Sequence, residues 1–254
     1  MTSILAFAAH PDDEGAMLGT LYKYSKLNRK VVIVWATRGE RWLTPLGKYT
    51  PFLHWLVFTK KDHQSREKLY KIINKIRSKE IRKVLSLINV EGCFLDFRDG
   101  FIPSPSDHQA LMKVIEVIRQ YRPKIIITHH FREAHPDHQN LSRLVYHAFY
   151  LAGKNTIRTN SAPFTPESLA WWDERGVGFK PNCFINVNNS IRIFSEWKKI
   201  YKSQASRLIG QLPMIKARLR ALRTPLKLVE GFQILNINIK TKIFAELFPE
   251  ISQL

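Results

Sequence analysis

Short apolar runs alternate with longer amphipathic segments through the first half of the chain. The apolar runs have the length of strands and contain few polar residues, which is typical of strands that are buried on both faces. The segments between them repeat apolar residues at helical spacing, which predicts amphipathic helices. The predicted elements, in chain order, are a strand ILAFAA, a helix EGAMLGTLYKYSKL, a strand KVVIVWAT, a helix REKLYKIINKIRSKEIRKVLSLI, a strand CFLDF, a helix SDHQALMKVIEVIRQY capped by Ser106, and a strand KIIITHH.

Buried strands that alternate with helices predict an α/β fold, a Rossmann-like three-layer sandwich with a mostly parallel sheet. In such sheets, ligands bind outside the carboxyl ends of the strands. One polar cluster, from His10 to Asp13, follows the first strand, and a second, from His129 to His138, follows the fourth. Because both clusters lie at the same edge of the sheet, we expect them to share one site.

The pattern weakens after about residue 153. Residues 153–182 are rich in Gly, Pro, Ser and Asn, which predicts a long loop or lid, followed by a strand CFINV and helices around 191–208 and 212–222. We therefore expect a single domain over residues 1–254, with a Rossmann-like core at 1–152. The lid and C-terminal extension at 153–254 is expected to pack as an appendage on that core.

The charge of the chain is strongly positive, with 40 Lys and Arg against 21 Asp and Glu and a formal net charge of +19. Such a charge favours anionic partners through long-range attraction. The basic residues concentrate in 60–83 and 192–227, where a pair of solvated amphipathic helix faces is the plainer interpretation.

The apolar segments of the chain bear on whether the protein spans a membrane and on its location in the cell. The apolar patch FLHWLVF, residues 52–58, is too short to span a bilayer, and the first apolar run has no basic leader before it. We expect a cytoplasmic protein, with peripheral contact to an anionic membrane as a candidate partner interaction. The two cysteines, Cys93 and Cys183, show no pairing signature and are predicted to be small core residues.

The stretch AAHPDDEG places an imidazole and three carboxylates directly after the first strand. His10 and Asp13 are three apart in a tight turn, so a ring nitrogen and a carboxylate oxygen can meet on one metal ion. The second motif, HPDH, adds a third donor from His135 or His138, since Pro136 suits the first helical position and both histidines then lie at the helix start. Two His and one carboxylate leave a position open, as in catalytic zinc sites, although other divalent ions accept the same ligands.

Asp12 is not needed as a metal ligand, and a carboxylate beside the ion can act as general base. A histidine that does not bind the metal, His135, could stabilise an oxyanion or act as the acid, with Asp137 as a candidate for orienting its ring. Glu14 suits the first turn of a helix and needs no catalytic explanation.

The two ordered motifs, AHPDDE after the first strand and HPDH after a later one, resemble the PIG-L/LmbE superfamily of zinc-dependent N-deacetylases, which act on N-acetylglucosaminyl groups. Further stretches resemble family motifs in the same order: TRGE at 37–40, the helix RSKEIRKVLSLINV, FRDG at 97–100, YKSQ at 201–204 and EGF at 230–232. The resemblance covers residues 3–150 well and the remainder loosely.

The resemblance implies a division of roles. His10, Asp13 and His138 would bind zinc, Asp12 would be the general base and His135 would support the tetrahedral intermediate. The chain departs from the family pattern twice: Glu133 stands where some members have tyrosine, and Tyr201 stands where the family has histidine.

Arg77 and Asp99 match family positions that contact the sugar. Their plainer alternatives are an ion pair with Glu80 on a helix surface and a turn carboxylate before Gly100.

The leading hypothesis is a zinc-dependent hydrolase that removes the acetyl group from an N-acetylated amino sugar conjugate, with a lipid or a nucleotide as candidates for the group linked to the sugar. The alternative is a metal-dependent phosphoester hydrolase or a basic nucleic-acid-binding protein, although no recognition motif for nucleic acid is present. The basic surface together with the stretch YTPFLHWLVF could hold the protein at an anionic membrane. An equally plain interpretation is that four aromatic side chains line a sugar-binding mouth: Trp42, Trp55, Trp171 and Trp172.

Overall fold

The computed structural model describes residues 2–41, 63–172, 178–204, 211–222 and 225–236. Within these ranges, seven strands form one sheet. The strands are β1 (Ile4–Ala8), β2 (Val31–Trp35), β3 (Glu91–Phe94), β4 (Ile125–His129), β5 (Ser168–Trp172), β6 (Cys183–Asn186) and β7 (Val229–Asn236). The α-helices are α1 (Leu18–Lys26), α2 (His63–Ile88), α3 (His108–Tyr121), α4 (Pro136–Leu151), α5 (Ile191–Ile200) and α6 (Leu212–Ala221), with two 3-10 helices at Asp13–Met17 and Asn188–Ser190.

The sheet has the strand order β3-β2-β1-β4-β5-β7-β6. The strands β3, β2, β1, β4 and β5 run parallel, whereas β7 runs antiparallel to both β5 and β6. The predicted α/β fold with a mostly parallel sheet is therefore confirmed. The order of the parallel strands reverses between β1 and β4, which makes this the topological switch point of the sheet.

Helices cover both faces of the sheet. One apolar core packs α1, α2, α5 and α6 against one face, and a second packs α3 and α4 against the other. Every residue of β1, β2, β4 and β5 is buried, which explains why the runs in the first half contain so few polar residues. The edge strand β3 is partly exposed instead.

The C-terminal third contributes to the sheet itself, so its prediction as a lid and appendage is wrong in part. Strand β5 lies inside the segment predicted as a loop, and it pairs with β4 from Ser168 to Trp172. Trp171 and Trp172 are buried in it, so they do not form an exposed mouth, and Trp42 and Trp55 lie outside the described residues. The sequence pattern does not predict β7 either. Five residues among Gly and Pro are too few for a periodic signal, and β5 is a strand because it pairs with β4 on one side and β7 on the other.

Smaller differences concern helix ends. The N-cap of α3 is Asp107, not Ser106, because the Asp107 side chain accepts the N–H of Ala110 at 3.0 Å. The predicted first helix begins as the 3-10 turn Asp13–Met17 before α1. Among the described residues, no helix is long and apolar enough to cross a membrane, and both cysteines are free, Cys183 buried and Cys93 partly exposed.

Candidate metal and catalytic site

The two polar motifs meet at the switch point of the sheet. The turn from His10 to Asp13 follows β1, and His135 and His138 lie at the start of α4, which follows β4. Because β1 and β4 are parallel neighbours, their carboxyl ends meet at one edge and bring side chains more than 120 residues apart within contact distance.

Three side chains converge as a candidate metal site. Oδ2 of Asp13 lies 3.4 Å from Nδ1 of His10 and 3.4 Å from Nε2 of His138. Those two ring nitrogens are 3.3 Å apart, and the donor atoms of all three residues lie within 4.8 Å of one another. Two imidazole nitrogens and one carboxylate oxygen facing a common point are a donor set that suits zinc and other divalent ions. The residues present therefore fit the metal that the motifs imply.

The opposite nitrogen of the His10 ring is held by two more carboxylates. Nε2 lies 3.1 Å from Oδ2 of Asp137 and 3.2 Å from Oδ1 of Asp99. Burial works to lower the pKa of His10, but the carboxylates of Asp13, Asp137 and Asp99 outweigh it and raise the pKa well above the usual value. In the absence of a metal this ring is therefore protonated on both nitrogens. Loss of the Nδ1 proton on metal binding would leave the Nε2 proton facing the carboxylates and would free Nδ1 as a ligand beside Asp13 and His138.

Burial favours the neutral form of two further histidines, His129 and His138. Burial lowers the pKa of His138 to about 4 and that of His129 well below its usual value. Neutral imidazole is the form that binds a metal. Burial works to raise the pKa of Asp13, but the histidines around it lower that pKa instead, so its carboxylate is ionised.

Asp12 occupies a strained turn. Its φ of 102° lies in the region that non-glycine residues rarely adopt. Its N–H donates to Oε2 of Glu14 at 3.0 Å, and its carbonyl accepts the N–H of Gly15 at 3.0 Å. Asp12 precedes the candidate ligand Asp13 in the chain and is only partly buried.

Glu14 lies in the first turn of the 3-10 helix Asp13–Met17, as predicted, and its side chain is in addition a buried hydrogen-bond acceptor. It is fully buried, and its carboxylate accepts the indole N–H of Trp197 at 2.8 Å and that of Trp35 at 3.1 Å, besides the N–H of Asp12. Burial raises the pKa of Glu14, although these hydrogen bonds oppose the shift. Glu14 thus ties the strained turn to α5 and to β2.

His135 is the exposed N-cap of α4, as the position of Pro136 predicts. Its Nδ1 accepts the N–H of Asp137 at 3.2 Å, so the proton of the neutral ring is on Nε2. Burial, and then the charge of His10, lowers the pKa of His135. The ring lies beside the cluster, 5.0 Å from the His10 ring between centroids, with an N–H available to donate.

Asp137 orients a different ring from the one expected. Its carboxylate holds His10, and it also accepts the N–H groups of Gly100 at 2.7 Å and Ile102 at 3.1 Å. The backbone N–H of Asp137, rather than its carboxylate, contacts His135. Asp137 therefore connects the second motif, HPDH, and the FRDG loop to His10, one of the three candidate metal ligands.

Arg77 and Asp99 are both buried next to the motif turn. Nη1 of Arg77 donates to the carbonyl of Pro11 at 3.2 Å, and Oδ2 of Asp99 accepts the N–H of Arg41 at 2.8 Å. Arg77 and Glu80 do interact, but in the interior and not on a helix surface, since their side chains are 1% and 6% exposed. Burial raises the pKa of Glu80, and the charge of Arg77 opposes that shift. Contact of Arg77 and Asp99 with a sugar stays a prediction.

The two departures from the family pattern both lie near the site. Tyr201 is fully buried, and burial followed by the carboxylates of Glu14 and Asp12 raises its pKa well above the usual value. Glu133 is buried, and its charge acts on His138. Both side chains add polar groups beside the residues predicted to do the chemistry.

His129 begins the second polar cluster of the sequence but is given no role by either motif, and the structure places it beside the candidate metal ligands, with Nε2 3.5 Å from Oδ2 of Asp13. It ends β4, its Nε2 accepts the N–H of Ala9 at 2.9 Å, and its ring lies 3.9 Å from that of His138 between centroids. The sequence signal is weak because His129 lies inside the apolar strand KIIITHH, outside either motif.

The fold and this cluster define an α/β protein of Rossmann type with a candidate divalent-metal site at its switch point. The chain belongs to the PIG-L family: the family model described as GlcNAc-PI de-N-acetylase matches residues 5–149, more than half of its length. The match spans both motifs and confirms the resemblance.

Solved structures share the fold. The conserved protein TT1542 from Thermus thermophilus is 22% identical, with a TM-score of 0.72 and coverage of 91% of this chain and 94% of that one. The N,N'-diacetylchitobiose deacetylase from Pyrococcus horikoshii is 19% identical, with a TM-score of 0.73 and coverage of 95% and 88%. GalB, the 4-carboxy-2-hydroxymuconate hydratase from Pseudomonas putida, is 14% identical, with a TM-score of 0.74 and coverage of 94% and 98%. A deacetylase and a hydratase on one fold show that the fold alone does not choose the reaction.

Proposed function

We propose that the protein is a zinc-dependent hydrolase that removes the acetyl group from an N-acetylated amino sugar conjugate, giving a free amine and acetate. The observation that carries this proposal is the convergence of His10, Asp13 and His138 beside Asp12, at the switch point of a PIG-L family chain. The three donors would hold the metal, and Asp12 would be left for proton transfer.

Zinc at such a site polarises a carbonyl and makes bound water more acidic. The carboxylate of Asp12 takes a proton from the attacking water and delivers it to the departing amine. The Nε2–H of His135 donates to the oxyanion of the tetrahedral intermediate. The carboxylates of Asp99 and Asp137 hold the His10 ring with Nδ1 toward Asp13 and His138, the two other residues that would bind the metal.

The amino sugar is supported by the family description, which specifies a GlcNAc conjugate, and by the chitobiose deacetylase among the structural neighbours. Arg77 and Asp99 lie at the edge of the same site and are proposed to contact the sugar. The rival functions are that of a hydratase like GalB, a phosphoester hydrolase and a nucleic-acid-binding protein. Among the described residues, no side-chain cluster favours either rival enzyme over the deacetylase, and the positive charge that nucleic acid would need is separate from the donor cluster.

Acetate release from an N-acetylglucosamine conjugate by the zinc-loaded full chain tests the proposal. Asp12→Asn should retain zinc and lose at least about a hundredfold in kcat, the usual contribution of a general base. Asp96→Asn is the matched control, because Asp96 also has a positive φ, 53°, but pairs with Arg38 away from the cluster. Undiminished turnover by Asp12→Asn would exclude Asp12 as the base, and no acetate from the zinc-loaded wild type would overturn the function.

A further inference from the structure

One exposed face of α2 is a row of cations. Lys71, Lys75, Lys79 and Lys83 recur every fourth residue and are all exposed, with Lys68 and Arg82 exposed beside them. Of the two acids in α2, Glu80 is buried and Glu67 lies near the helix start. Like charges four residues apart destabilise a helix, so the row is costly for the isolated protein and favourable against an anionic surface.

A second helix on the same side of the sheet exposes an apolar stripe. Ile215 and Leu219 of α6 and its C-cap Leu222 are 36%, 60% and 79% exposed. Their spacing of four and three residues, with Leu222 still in helical conformation, places them on one face. Arg218, also exposed, lies in the same stripe. Large apolar side chains aligned in this way, rather than scattered singly, indicate a contact surface.

The two features belong to one side of the molecule. α2 and α6 pack into the same core, with α5 in contact with both helices. The exposed surfaces of α2 and α6 therefore lie on the solvent side of the same helical layer. α6 also contacts the 3-10 turn Asp13–Met17, which carries the metal donor Asp13.

We propose that this side, formed by the cationic row of α2 and the apolar stripe of α6, docks on the surface of an anionic lipid bilayer. The row supplies attraction to lipid phosphates, and the stripe supplies apolar area that enters the headgroup boundary. Nucleic acid would be matched by the cations but not by three exposed aliphatic side chains, so the bilayer is the better fit. Docking in this orientation would bring the donor cluster close to the membrane.

The docking does not depend on the proposed deacetylation. Flotation reports the docking and acetate release reports the reaction, so a failure of one is distinguishable from a failure of the other.

Flotation of the full chain with vesicles tests the docking. Binding is expected to vesicles of phosphatidylcholine with phosphatidylglycerol, not to phosphatidylcholine alone, and to weaken with salt. The triple variant Lys75→Gln, Lys79→Gln, Lys83→Gln should bind roughly 100-fold more weakly, since each basic residue near an anionic surface contributes about 1 kcal/mol. Leu219→Ser with Leu222→Ser should reduce the binding that remains at high salt.

The matched control removes three exposed cations from the other side of the sheet: Arg143→Gln, Lys154→Gln, Arg158→Gln. It should bind like the wild type, and circular dichroism checks that both triple variants fold. No flotation with anionic vesicles, or equal losses in the two triple variants, would overturn the proposal. Duplex DNA that displaces the chain from vesicles and binds more tightly than they do would assign the surface to nucleic acid instead.

Discussion

The backbone N–H of Asp12 donates to Oε2 of Glu14 at 3.0 Å, two residues along the same turn. The acceptor, the Glu14 carboxylate, is fully buried, and the donor, Asp12, has a φ of 102°. A strained backbone persists only where its surroundings determine it, and here Glu14 is anchored in turn by Trp35 and Trp197. The conformation that presents the Asp12 side chain thus depends on groups contributed by β2 and α5.

Glu14→Gln tests this dependence. In glutamine, an NH2 group takes the place of one of the two carboxylate oxygens. In one orientation of the amide the NH2 group faces the indole N–H of Trp197, and in the other it faces the backbone N–H of Asp12. Either way, two hydrogen-bond donors face each other. A buried unsatisfied donor costs about 1–3 kcal/mol, and we expect that loss in urea unfolding together with a lower kcat and a less affected KM.

Glu14→Gln combined with Trp197→Phe distinguishes positioning from stability. Removing the indole N–H relieves the clash, so the double variant should recover part of the lost stability and kcat relative to Glu14→Gln. An unchanged kcat in Glu14→Gln would contradict a role in holding Asp12.

His138 and His135 lie three residues apart and are expected to fail in different ways. His138→Ala removes a metal donor and should lower bound zinc, measured by elemental analysis after dialysis. His135→Ala should keep zinc and lose turnover about 100-fold or more, because an oxyanion donor is missing. Equal zinc contents in the two variants would mean that the ligand set is wrong.

Asp137→Asn should weaken zinc binding without removing a ligand. The carboxylate holds Nε2 of His10 at 3.1 Å, and groups in this role typically affect metal affinity by about 10- to 100-fold. Zinc competition with a chelator measures the effect. Asp107→Asn, which keeps a side-chain oxygen at the N-cap of α3 away from the site, is the control and should bind zinc as the wild type does.

Glu230 should make the stability of the fold depend on pH. It accepts the N–H groups of Gly19 and Thr20, both at 2.8 Å, and burial raises its pKa to about 7 from an ordinary 4.5. Because the folded state keeps the proton more tightly, this contribution is complete below pH 4.5 and is lost as pH rises through about 7. The loss is at most about 3 kcal/mol.

Urea unfolding at about pH 5 and about pH 8 measures this loss, since the two values lie on either side of the titration. Glu230→Gln should remove most of the difference between them, and Glu91→Gln, at an exposed position of β3, should not. The same pH dependence in Glu230→Gln and the wild type would show that another group is responsible.

Much of the site is predictable because its chemistry is local. His10, Asp12 and Asp13 lie within one turn, and HPDH begins a helix whose Pro136 marks the first helical residue, as the structure confirms. The parallel order of the first strands follows from their uninterrupted apolar runs, and it places both motifs at one edge. The sequence alone therefore groups the site residues, although their roles stay proposals.

The sequence by itself determined the buried strands, their helices and the metal-type donors, since periodicity and residue type act over a few neighbours. Only the tertiary structure decided that β5 pairs within the sheet and that Glu14 is buried and accepts the N–H of Asp12. It alone also decided that the Asp137 carboxylate contacts His10 and that the ring of His129 packs against that of His138. Each of these depends on partners distant along the chain, and the free energy of such contacts comes from burial and hydrogen bonds that no local pattern encodes.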